Sequence, residues 1–161
     1  MTPASAATVA WPDAYVRSRP TASTASGAFT VWSSLPDACD HPPVRVIKPE
    51  MRKPTRSVAE IFSGDVDSFT AVGGEHSTDL RLSEIHFKSG ARNRWHTHTT
   101  DQILMCTEGD GLIATDEEQH DLTPGVIALI PKGTRHWHGA KPGKNMTHWS
   151  ILGPAETRIA D

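Results

Sequence analysis

Between residues 79 and 88 apolar and polar positions alternate. Ser83, Ile85 and Phe87 fall on one side of an extended chain, and Leu82, Glu84, His86 and Lys88 on the other. A period of two is that of a strand with one face buried. Short apolar runs at 102–106, 111–115, 126–130 and 148–152 predict four more strands. Upstream, 44–47 reads as a short strand stopped by Pro49, and 58–62 as another. A turn at 63–67 then leads to a return strand at 69–72. The connections are short and hold Gly, Pro, Asp or Asn, and no ten-residue stretch carries a helical period. Many short strands separated by turn signals predict an all-β sandwich or barrel.

Residues 1–45 have a different texture. They are rich in Ala, Ser, Thr and Pro and offer few large apolar groups to offset the entropy of ordering. They are expected to form an N-terminal extension to a barrel at 46–161. Trp11, Tyr15, Phe29, Trp32 and Leu35 could anchor the extension to the barrel or to a neighbouring subunit; a flexible tail is the alternative.

The chain has 161 residues, enough for one domain of ordinary size. Lys plus Arg is 16 and Asp plus Glu 19, a net charge of −3. Phosphate binding needs clustered positive charge, so neither nucleic acid nor an anionic membrane surface is an expected partner. No run of about 18 apolar residues is present to span a bilayer. The first twenty residues lack a basic start followed by an apolar stretch, so no secretory signal is expected and a cytoplasmic location is. Two cysteines, Cys39 and Cys106, do not make a disulfide framework. Cys106 shares the parity of Gln102 and reads as a small buried hydrophobe.

Nine histidines are the anomaly, and eight lie from position 76 onward. His96 and His98, two apart on an extended chain, point to one face. In a small barrel that face is concave, so the two imidazoles converge. Gln102 follows a bend and returns to the same interior. Farther on, the apolar run 126–130 ends in Pro131-Lys132-Gly133, a turn that throws His136 back toward the barrel axis. His138 and His148 each stand an even step from an inward position and are expected in the cavity. Trp95, Trp137 and Trp149 have the opposite parity and are expected outside. His86 belongs to the outer face, and His41, His76 and His120 to loops.

These two stretches resemble the paired motifs of the cupin superfamily. The first motif, G-x5-H-x-H-x3-E-x6-G, is supplied by Gly90, His96, His98, Gln102 and Gly109. The second, G-x5-P-x-G-x2-H-x3-N, is supplied by Gly125, Pro131, Gly133 and His136. Gln102 stands where glutamate is usual, and Ala140 where asparagine is usual. The resemblance implies a single-domain cupin barrel, a double-stranded jelly roll, with one divalent ion on His96, His98, Gln102 and His136. Trp95-His-Thr-His98, the glutamine, His136-Trp-His138-Gly139-Ala140 and Met146-Thr147-His148 are similar to small bacterial cupins that include manganese-dependent hydroxynitrile lyases. Mn2+ or Fe2+ is the expected ion, with Zn2+ and Ni2+ as alternatives. A homodimer or homotetramer is expected by the same resemblance.

Three imidazoles and an amide oxygen suit a late first-row ion, and oxygen admits manganese. A neutral glutamine leaves the ion its full charge, which weakens affinity and strengthens its pull on a bound oxygen. His148, then His138, are the candidate acid–base groups, because imidazole titrates near neutrality. Ser83, Ile85, Phe87, Leu104 and Ile127 are the candidate pocket wall, implying a small, largely apolar substrate. The leading expectation is a metal-dependent lyase acting on a small oxygenated molecule. An Fe(II) dioxygenase and a non-catalytic small-molecule binder are the alternatives.

Overall fold

The computed structural model describes residues 43–48 and 53–160. The aromatic residues of the extension, Cys39, His41 and Pro49 lie outside the described residues. Eleven strands run through the remainder: β1 (Thr55–Arg56), β2 (Phe62–Val72), β3 (Arg81–Asn93), β4 (His96–His98), β5 (Gln102–Gly109), β6 (Gly111–Thr115), β7 (Gln119–Leu122), β8 (Ile127–Ile130), β9 (His136–Ala140), β10 (Met146–Leu152) and β11 (Thr157–Ile159). All pairings are antiparallel. One sheet has the order β1-β2-β3-β10-β5-β8 and the other β7-β6-β9-β4-β11. Strand β3 bends at Ser89–Gly90, where both φ angles are positive, and its far end pairs with β9 at Arg92↔Gly139. That single contact joins the sheets into a nearly closed barrel.

The core lies between the sheets. Ile85 and Phe87 of β3, Leu104 and Cys106 of β5, Ile113 of β6, Leu122 of β7, Ile130 of β8 and Met146 of β10 are all buried. The period-two reading of β3 and β5 thus selects the inward residues. Burial pushes the Cys106 thiol up, and it donates toward the carbonyls of Leu122 and Glu108, each at 3.6 Å. Outside, Trp95 and Trp137 meet edge to face at 6.4 Å, with Arg135 stacked on the first ring and Arg92 on the second. Intramolecular cation–π contacts therefore cover two of the three outward tryptophans.

The upstream expectations fail in detail. Residues 44–47 form no strand, and Val44 is 92% and Val46 79% exposed. Apolar residues alone do not make a strand where no neighbouring edge accepts their hydrogen bonds. Residues 58–61 form a loop and turn, with Val58 exposed, and the strand begins only at Phe62. The expected turn at 63–67 and return strand at 69–72 are one continuous strand, β2. The ladder is irregular at Gly64: Ser63 pairs with Arg92 and Asp65 with Lys88, so Gly64 alone faces three residues of β3, and it takes φ +99°. That backbone favours glycine, so the Ser-Gly-Asp signal marked an irregular strand and not its end. Strand β7, which carries His120, was expected as a loop. Its exposed residues Gln119, His120 and Asp121 hide the pattern.

At the joint of the two sheets the backbones approach closely. A Cβ on Gly139 would lie 2.4 Å from Arg92 Cα. No side-chain rotation relieves a clash with backbone. Gly139→Ala is therefore expected to cost about 3 kcal/mol, read as a lower urea midpoint with an unchanged slope. A midpoint within experimental error of the parent would show that the joint yields freely.

Candidate metal centre

Strand β4 is three residues long, and its outer two, His96 and His98, are both buried. It pairs with β9 at His96↔His136, so these two side chains lie side by side on the inner face. Gln102 opens β5 and faces them from the opposite sheet. The ligating nitrogens of His96, His98 and His136 lie within 4.8 Å of one another, and the three histidines are placed to hold a metal ion.

The hydrogen bonds around the rings decide which nitrogen faces inward. His96 Nδ1 lies 2.8 Å from the Arg94 carbonyl, and His136 Nδ1 2.8 Å from the Thr134 carbonyl. A carbonyl only accepts, so each Nδ1 carries the proton and each Nε2 presents a lone pair. His98 Nδ1 lies 3.0 Å from Thr157 Oγ1, and with that hydroxyl accepting it carries the proton as well. The Nε2 atoms of His96 and His98 are buried with no hydrogen-bond partner among the described residues. Gln102 Nε2 donates to Ser150 Oγ at 2.9 Å, which turns its Oε1 to within 3.1 Å of His136 Nε2. Both of those atoms are acceptors. Four electron pairs thus converge with no proton between them, an arrangement that a cation satisfies.

Burial keeps these rings uncharged. It pushes His96 down to about 3, with His136 adding repulsion, and His98 down to about 4. His136 is lowered for the same reason. Neutral imidazoles are the form that binds metal.

Deeper in the barrel lies a second pair. His138, two residues past His136, and His148 on β10 are buried, with ring centroids 4.8 Å apart. His148 Nδ1 points to the Ile85 carbonyl at 3.4 Å, leaving its Nε2 without a partner, and neither nitrogen of His138 has one. Burial pushes His148 down to about 4 and His138 well below its usual value. Phe87 packs against both rings at 5.5 and 5.8 Å.

The expected wall residues separate into two groups. Ser83 and Ile85 pair with Ser150 and His148, and Leu104 pairs with Ser150, so these and Phe87 line the interior beside the histidines. Ile127 does not. It is 64% exposed, because the inward residues of β8 are Ala128 and Ile130, and it sits instead at the lip of a surface cavity. The run Val126–Ile130 is apolar throughout, so its inward parity was not readable from sequence. Sequence reading also missed Ser150 and Thr157. Ser150 shares the parity of His148 and was within reach; Thr157 lies on a short strand with no apolar pattern.

The strand order and the two sheets define a jelly-roll barrel whose inward histidines could hold a metal ion. The cupin domain family matches residues 83–151, and the chain has the cupin fold. It is 40% identical over 83 residues to the (R)-mandelonitrile lyase of Granulicella tundricola, a match covering 49% of this chain and 61% of that enzyme. The chain therefore spans less than two thirds of that relative's length. It is 25% identical over 126 residues to the acireductone dioxygenase of Parasynechococcus marenigrum, covering 70% and 67% of the two chains. Among solved structures, a cupin-like protein from Thermotoga maritima is 28% identical with a TM-score of 0.61, covering 68% of this chain and 87% of that one. No helix among the described residues is long and apolar enough to cross a membrane.

Proposed function

We propose that the protein is a metal-dependent lyase that makes or breaks a carbon–carbon bond beside an oxygen-bearing carbon, as a hydroxynitrile lyase does. One observation carries this reading. The convergent lone pairs of His96, His98, His136 and Gln102 stand one layer from His148, whose buried Nε2 has no partner. The four residues would hold one divalent ion, Mn2+ or Fe2+, which supplies Lewis acidity toward a hydroxyl or carbonyl oxygen. His148 does the proton work. Its Nδ1–H faces the Ile85 carbonyl, so Nε2 is the basic atom, and it takes the proton of a cyanohydrin hydroxyl. As that O–H bond breaks, the carbonyl forms, and the carbon–carbon electron pair leaves with cyanide. His148 then returns its proton to cyanide. His138, with both nitrogens free, supplies one donor and one acceptor to the departing fragment. Phe87, Ile85 and Leu104 exclude water. The match to the mandelonitrile lyase supports this chemistry.

With Mn2+-loaded protein and mandelonitrile, His148→Ala is expected to lower kcat by about 100-fold or more while metal content stays unchanged. Unchanged turnover would remove the acid–base role of His148, and no turnover by the parent would favour a module that only binds small molecules. The similarity to an acireductone dioxygenase supports a second reading, Fe(II)-dependent oxygenation. Protein loaded with Fe(II) without air and then given O2 separates the two. The oxygenase reading ends if no O2 is consumed with small diketones, phenols or thiols.

A further inference from the structure

The histidines are sealed. His96, His136 and His148 are 0% exposed and His138 2%, so a substrate needs a way in. Strands β7 and β8 are the facing edges of the two sheets; β7 pairs only with β6, and β8 only with β5. Along this unpaired seam lies a cavity of about 750 Å³, within the range of small-molecule sites. Ile113, Leu122, Ala128 and Ile130 form its apolar floor.

Cross-strand partners stand side by side on one face of a sheet. Ile130 is paired with Gln102, Ile113 with His138, and Thr115 with His136. All three cavity residues are therefore immediate neighbours of a side chain of the metal centre or its histidine pair. The rim carries Asp116, Glu117, Glu118 and Asp121 against Arg135 and His120. Arg135 is bonded to Asp116, His120 to Glu118, and Asp121 to Lys141. Carboxylates predominate there, which disfavours an anionic ligand. A smaller cavity of about 620 Å³, lined by Arg81, Thr99, Leu152 and Glu156, lies at the edge beside Leu152, which also pairs with Gln102. Its guanidinium gives it the opposite preference.

We propose that the cavity between β7 and β8 binds the uncharged apolar body of the substrate and is its way to the histidines, with Ile113, Ala128 and Ile130 setting which substrates are accepted. This rests on reading the chain as an enzyme of small oxygenated molecules, yet binding can be tested without turnover or metal. In metal-free protein labelled with 13C at isoleucine methyl groups, benzyl alcohol is expected to shift Ile113, Ile127 and Ile130. Benzoate is expected to leave them in place. Ala128→Phe and Ile127→Trp are each expected to weaken benzyl alcohol binding by about tenfold. Ile127 is exposed, so its variant keeps the test valid if the first does not fold. Shifts confined to Ile85, benzoate binding as well as the alcohol, no shift at saturating alcohol, or parental affinity in both variants would overturn the proposal. Seam shifts in a protein that turns over no cyanohydrin would sink the lyase reading and leave this one standing. Turnover without seam shifts would do the reverse.

Discussion

The metal-free protein is expected to unfold as the pH falls from 6.5 toward 4. The cause is the burial that holds His96 at about 3 and His98 and His148 at about 4. In the unfolded chain each histidine takes up a proton near its ordinary value of 6.5. In the folded chain it stays neutral until the pH reaches the lower value. Above 6.5 neither state is protonated, and stability does not change with pH through these rings. Between the two values the unfolded state binds more protons, so stability drops with pH. Each ring contributes about 1.4 kcal/mol per pH unit. The three together give about 4 kcal/mol per unit, and over two units that rivals the whole stability of a typical domain, about 5–15 kcal/mol. His136 and His138, lowered in the same direction, steepen the fall. Circular dichroism of chelator-treated protein against pH should show a cooperative loss of structure before pH 4. Saturating Mn2+ should move the transition to lower pH, because metal and protons compete for the same nitrogens. A flat signal from pH 7 to 4 would mean that water reaches the rings and the chamber is not sealed.

His136→Ala is expected to weaken metal binding by well over 100-fold. His136 is the hinge of the cluster, with ring centroids 4.2 Å from His96 and 5.5 Å from His98, and Nε2 3.1 Å from Gln102 Oε1. Loss of a partner behind a ligand costs about 10–100-fold in affinity, so loss of the ligand itself costs more. Thr157→Val, which removes only the partner of His98 Nδ1, supplies the milder comparison and should fall within that 10–100-fold range. Gln102→Glu should act the other way. Its carboxylate adds a negative charge and accepts a hydrogen bond from the Ser150 hydroxyl, which turns from acceptor to donor, so the ion is held more tightly and is less electrophilic. Elemental analysis and calorimetric titration of the purified variants measure all three. Parental affinity in His136→Ala would place the metal somewhere else.

The strands and the site were legible to different depths, for a physical reason. A two-residue period is local, so alternation declared the inward residues of β3, and parity with Gln102 those of β5. The HxH spacing and the Pro-x-Gly turn directed His96, His98 and His136 inward for the same reason. Where a run is apolar on both faces, as in Val126–Ile130, no local signal separates inside from outside, and only the pairing of β8 with β5 assigns Ala128 and Ile130 inward. Where a strand is polar on both faces, as in Gln119–Asp121, the period is invisible, and the hydrogen bonds to β6 create the strand. The stretches Val44–Ile47 and Val58–Ile61 show the converse, apolar sequence without a partner edge.

The chain by itself determined that this is an all-β barrel of the cupin type with His96, His98, Gln102 and His136 turned to one interior point. The barrel and the convergence follow from backbone period and turn chemistry over a few residues, and the cupin type from the resemblance of the two motif stretches. Tertiary structure alone decided the rest. Carbonyls of Arg94 and Thr134, the hydroxyl of Thr157 and that of Ser150 choose which atom each ligand presents. Opposed sheets seal His138 and His148 from water, and two unpaired edges leave the cavity beside them. Each of these depends on groups brought together from distant parts of the chain, and no local pattern encodes such a meeting.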